Sequence, residues 1–130
     1  MSSNPIIPVP SEQHVTAGPY SPVLKIGRDA DLVLISGQAP VDLAGRVIGV
    51  TIEERARGTL ENCRKQLAAA GADFSNVFKV NVYLTDLADW PRFNVVYREI
   101  MPQPYPARTA IGCALLDEFQ VEIEMWAAMA

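Results

Sequence analysis

Small and apolar residues recur at Ile52, Ala56, Thr59, Leu60, Cys63, Leu67 and Ala70, in steps of three and four that form one stripe of a helix. Thr51, with Glu54 three residues on, fits a capping box, and Gly71 fits the stop, so the pattern predicts a helix over 51–70. Gly58 lies inside it at a propensity cost of about 1 kcal/mol relative to alanine, which implies close packing of its backbone. A second helix is predicted over 89–101. Asp89 stands as N-cap, Pro91 in the first turn needs no amide donor, and Phe93, Val96, Tyr97 and Ile100 share one face.

The rest of the pattern has the shorter period of strands. VLKIG, DLVLISGQAPV and GRVIGV, punctuated by Gly27, Gly37 and Gly45, predict three short strands in an antiparallel meander. NVFKVNVYLTD predicts a strand over about 77–84, and after the helix-stopping PQPYP two more follow, RTAIGCAL and VEIEMWAAM. Residues 1–17 read as an N-terminal arm in which Ile6, Ile7 and Val9 suit a short edge strand, and 18–130 read as one domain. The order β-β-β-α-β-α-β-β predicts an α+β fold, a mixed sheet with two helices on one face. The opposite face would then be open, and the economical cover is another copy of the chain, so a homo-oligomer with a site between subunits is expected.

Composition narrows the function. With 49% hydrophobic residues in 130 the chain is globular, not disordered. A net charge of −4 and the lack of any Lys/Arg run make nucleic acid an unfavourable partner. No apolar stretch reaches the roughly 18–20 residues of a membrane helix and no signal-like segment opens the chain, so a soluble cytoplasmic protein without membrane contact is expected. Cys63 and Cys113 are far apart and read as two reduced, buried thiols. The single histidine, His14, lies in the arm and reads as solvated, which leaves no His-based triad and no multi-His metal site within one chain. Chemistry falls to Arg, Glu, Tyr, Ser and Asn.

Two places carry charge on apolar strands. Arg108 begins a strand directly after Pro106-Ala107; its planar fork suits either a substrate carboxylate or a structural ion pair. Period-two geometry sets Glu122 and Glu124 on one face and Val121, Ile123 and Met125 on the other. One such carboxylate suits holding a water in a cleft; equally, both suit a solvated edge paired with Arg or Lys.

GPYSP at 18–22, LISGQAPVD at 34–42, TLENCRKQLAAAG at 59–71, the run VFKVNVYLTDLADWPRFNVVYREI at 77–100, PART at 106–109 and VEIEMWA at 121–127 stand in the order and spacing of the RidA family, also called YjgF/YER057c or L-PSP endoribonuclease-like. The resemblance runs from about residue 16 to the end. It implies a chorismate-mutase-like fold, a homotrimer whose sheets close a central barrel, and ligand sites between subunits. The implied activity is that of a 2-iminobutanoate/2-iminopropanoate deaminase-like hydrolase, turning reactive 2-iminoacids or 2-enamino acids into 2-keto acids with release of ammonia and using no metal or organic cofactor. Carried over residue by residue, Arg108 resembles the carboxylate clamp and Glu122 the residue that positions the hydrolytic water. Tyr20, Ser36, Gly37 and Asn94 resemble cleft residues contributed by the neighbouring subunit. The chain departs from the family pattern at Ala110, where many members have cysteine, at Arg55, where glutamine is common, and at LLDEFQ, which lacks the usual Leu-Pro. A non-catalytic metabolite-binding trimer and an endoribonuclease are the competing functions, the latter disfavoured by the acidic balance.

Overall fold

In this computed structural model residues 4–13 and 18–130 are described, so the expectation for His14 lies outside the described residues. The strands are β1 (Ile6–Pro8), β2 (Leu24–Ile26), β3 (Asp31–Gln38), β4 (Val77–Leu84), β5 (Ala107–Gly112) and β6 (Val121–Met129); the helices are α1 (Ile52–Ala69) and α2 (Trp90–Ile100). Four strands form a mixed sheet in the order β3-β6-β4-β5, with β6 antiparallel to both neighbours and β4 parallel to β5. The arm strand β1 pairs antiparallel with β2 in a separate ribbon.

The α1 capping box is complete: the Thr51 hydroxyl accepts from the Glu54 amide, and the Glu54 carboxylate accepts from the Thr51 amide. Gly71 supplies the positive φ, +79°, that follows the helix end. Ile52, Ala56, Thr59, Leu60, Cys63 and Leu67 are buried, while Ala70 is exposed. This stripe, with Phe93, Val96 and Tyr97 of α2, packs onto the sheet face formed by Ile35, Val80, Val82, Val121, Ile123 and Met125. Each large side chain so buried contributes about 1.5–3 kcal/mol relative to exposure. Both helices thus lie on one side of the sheet. The other side exposes Leu32 (66%), Leu34 (65%), Ile111 (48%) and Trp126 (44%).

Three sequence expectations are corrected. Residues 45–50 form no strand, only an isolated bridge between Val41 and Val47. Asp42 accepts from the amides of Ala44 and Arg46 through one oxygen, and Gly45 and Gly49 take φ of +81° and +86°, so a carboxylate-closed turn replaces extended pairing. The meander is not formed either, because β2 pairs with β1, and β3 pairs with the distant β6. Asp89 makes no side-chain cap on α2; Asp86 caps a preceding 3-10 turn, Leu87–Asp89, which runs into the helix and leaves Asp89 with helical dihedrals. Gly58 does pack closely: a Cβ there would lie 3.0 Å from Ile48 Cδ1 of the 42–50 loop. Asn62 of α1 anchors that loop's start through the carbonyls of Ala39 and Val41, both at 2.9 Å.

Candidate active site

Arg108 opens β5 opposite Val80, whose side chain is buried under the helices, so the guanidinium projects to the helix side and meets α2. Trp90, Asn94 and Tyr97 lie at i, i+4 and i+7, on one face of that helix. Arg108 Nη1 donates to Asn94 Oδ1 at 2.8 Å, and the guanidinium carbon sits 4.5 Å from the ring centroids of both Trp90 and Tyr97. GPYSP is tied to the PYPA segment by Ser21, whose amide donates to the Pro106 carbonyl at 3.1 Å and whose hydroxyl donates to the Tyr105 carbonyl. That tie lays Gly18 against Arg108 Nη2, 3.1 Å from where a Cβ would stand, with the Tyr20 ring beside it at 3.3 Å. Burial pulls the Arg108 pKa below its ordinary value, opposed by Tyr97. The ion pairs among the described residues lie elsewhere, Arg57–Glu99, Arg64–Glu61 and Arg92–Glu53, so Arg108 has no carboxylate partner there. A half-buried cation held by rings and one amide oxygen is equipped to take an anion.

The two glutamates are told apart by their neighbours. Glu124 Oε1 accepts from Tyr83 OH at 2.5 Å and from Asn81 Nδ2 at 2.9 Å. These bonds hold its carboxyl below the usual range, and the same contact pushes the Tyr83 pKa up to about 12. Glu122 makes no hydrogen bond or ion pair with the described residues. It lies instead against Gly37, where a Cβ would stand 2.4 Å from Glu122 Oε1, so any larger residue there would push the carboxylate from this position. Ser36 and Gly37 lie in a β-bulge: three steps from Ile35 to Gln38 face two from Met125 to Ile123, which brings the Gly37 backbone up to the carboxylate.

Within one chain the two groups do not share a cleft. Arg108 is on the helix side with Val80; Glu122 pairs with Tyr83 on the open side, three residues further along β4 and two strands across. That is about 10 Å in each direction, on opposite faces. Tyr20 and Asn94 accompany Arg108 from the same chain, where the resemblance implied a neighbour's contribution, because α2 packs directly over the start of β5. Gly37 accompanies Glu122, with Ser36 preceding it in the bulge.

Trp90 was not singled out from the sequence, although its spacing to Asn94 and Tyr97 carries the signal. Arg55 and the LLDEFQ departure prove to be coupled: Arg55 Nη1 donates to the Glu118 carbonyl at 2.5 Å and Nε to the Gly49 carbonyl at 3.2 Å. One side chain therefore ties the 42–50 loop to the segment leading into Glu122. In that segment Asp117 and Gln120 hold φ of 48° and 63°, conformations that non-glycine residues rarely keep unaided. Arg55→Ala is expected to raise amide hydrogen exchange across 115–120 while costing about 1 kcal/mol or less in stability. Unchanged protection of that segment would refute the clasp. Among the remaining groups, burial pushes the Cys63 thiol up to about 12, which leaves it unreactive, and no cluster of metal-binding side chains occurs among the described residues.

The family model described as Endoribonuclease L-PSP matches residues 11–129. Protein mmf2, mitochondrial, of Schizosaccharomyces pombe is 39% identical over 106 residues, 82% of this chain and 81% of that protein. A 2-iminobutanoate/2-iminopropanoate deaminase of Dermatophagoides farinae is 32% identical over 124 residues, 94% and 90% of the two chains. The crystal structure of RidA from an Antarctic Psychrobacter superposes with a TM-score of 0.70 at 34% identity, covering 88% of this chain and 92% of that one. The chain belongs to the Endoribonuclease L-PSP family, the family of the RidA and YjgF proteins. No helix among the described residues is long and apolar enough to cross a membrane.

Proposed function

We propose that this chain hydrolyses 2-iminoacids, and the 2-enamino acids that tautomerise to them, to 2-keto acids and ammonia at sites formed between the subunits of a homotrimer. The observation that carries this reading is Arg108: half-buried, without a carboxylate partner among the described residues, and backed by two rings and Asn94. A cation in that state favours a small carboxylate ligand over a structural role. The imine carbon of a protonated 2-iminoacid is already electrophilic, so orientation and one water suffice. Arg108 clamps the substrate carboxylate. Glu122 of a neighbouring copy, its oxygens uncommitted among the described residues, takes a proton from the water that adds to the imine carbon. Glu122 then returns that proton to the carbinolamine nitrogen and takes up the hydroxyl proton as the carbonyl forms and the C–N bond breaks, and the departing ammonia carries that second proton away as ammonium.

A second copy is needed because one chain keeps Arg108 and Glu122 on opposite faces, and the exposed Leu32, Leu34, Ile111 and Trp126 offer it a surface to cover. Three such sheets closing on one another make the expected central barrel. The test is ammonia and keto acid release from iminopropanoate generated by an amino acid oxidase, read against the spontaneous rate. Binding of 2-oxopropanoate without acceleration would replace the hydrolase with a metabolite sensor, and salt-dependent RNA cleavage would replace it with the nuclease. Leu34→Asp on the open face is expected to give a folded monomer by sedimentation velocity with activity lost. A fully active monomer would overturn the intersubunit site.

A further inference from the structure

We infer that Trp90 and Tyr97 are positioning residues for anion recognition, forming an aromatic slot that holds the Arg108 guanidinium in one orientation and leaves its edge to the ligand. This rests on the reading of Arg108 as the carboxylate clamp, and it adds what sets that clamp's geometry.

The two rings stand seven residues apart on α2, about 10.5 Å along the helix axis, yet each has its centroid 4.5 Å from the same guanidinium carbon. Arg108 therefore lies between them, and Asn94, on the intervening turn, accepts from Nη1 at the slot's floor. The rings are themselves fixed. Trp90 stacks on the fully buried Phe93 at 5.5 Å and 10°, and Phe93 meets Tyr97 at 5.9 Å. The Tyr97 hydroxyl is buried with no partner among the described residues, so the arginine uses the ring and not the hydroxyl. A planar, weakly hydrated guanidinium gains from such a slot, whereas a strongly hydrated ammonium loses its water there. Gly18 lies beside the guanidinium edge, where a Cβ would stand 3.1 Å from Nη2 and crowd it. The consequence is edge-on capture of a planar carboxylate without rotational loss at the moment of binding.

The test uses 2-oxopropanoate, a stable isostere of the imine, titrated calorimetrically into the full-length protein and its variants. Trp90 is half-buried and not part of the deepest core, so its replacements are expected to fold. Trp90→Ala is expected to weaken binding about tenfold, Trp90→Phe to restore it to within about threefold of the parent, and Trp90→Leu not to restore it. The Arg108 Nε–Hε resonance is expected to carry an upfield ring-current shift, reduced in Trp90→Ala and in Trp90→Leu. If Trp90→Leu binds as well as Trp90→Phe, the residue supplies only apolar bulk and the slot is refuted. Binding lost in Arg108→Ala but unchanged in Trp90→Ala also refutes the slot while keeping the clamp. Binding unchanged in Arg108→Ala removes the clamp itself, and the slot with it.

Discussion

Arg108→Ala is expected to lower kcat/KM for 2-iminopropanoate by about 30- to 3000-fold, the range that truncating one partner of a desolvated charge pair produces. The fold should survive. Arg108 is half-buried at the start of an edge strand, its hydrogen bond to Asn94 is the one its side chain makes among the described residues, and its burial already disfavours the charge. Melting temperature and oligomeric state are therefore expected to stay at the parent values or rise slightly, as happens when a group kept for function at a cost in stability is removed. Hydrolysis within a few-fold of the parent by a folded variant would reject the clamp.

Glu122→Gln carries the second large effect. Glutamine keeps the shape against Gly37 but cannot take a proton from water, so kcat is expected to fall by about 10²- to 10⁴-fold with KM little changed. Glu124→Gln, one pleat away on the same face, is the contrast. Its carboxylate is already occupied by Tyr83 and Asn81, so steady-state rates within a few-fold of the parent are expected. If the two variants behaved alike, or in reverse, the water would have to be assigned to the other carboxylate.

Much of the fold was legible because its signals are local. The α1 boundaries follow from Thr51, Glu54 and Gly71, and the glutamate face of β6 from simple alternation, each decided within a few residues. Two of the departures have local causes, and the third, the absent meander, comes from the pairing of β3 with the distant β6. Asp42 with Gly45 and Gly49 outweighs the β-branched residues at 47, 48 and 50, and Asp86 caps a turn that begins ahead of Asp89. The motif resemblance pointed to the residues around Arg108 and Glu122, but not to which of them meet within a chain, nor to Trp90.

By itself the sequence determined the helices, most of the strands, the two-sided β6 and the residue types available for chemistry, because propensity, capping and periodicity act over one or two turns of chain. Only the tertiary structure decided that β6 lies between β3 and β4, that α2 delivers Asn94 and two rings to Arg108, and that Arg108 and Glu122 face opposite ways. Those outcomes depend on which distant strands pair and which helix face is buried, contacts between residues far apart in sequence whose energies no short stretch of the chain contains.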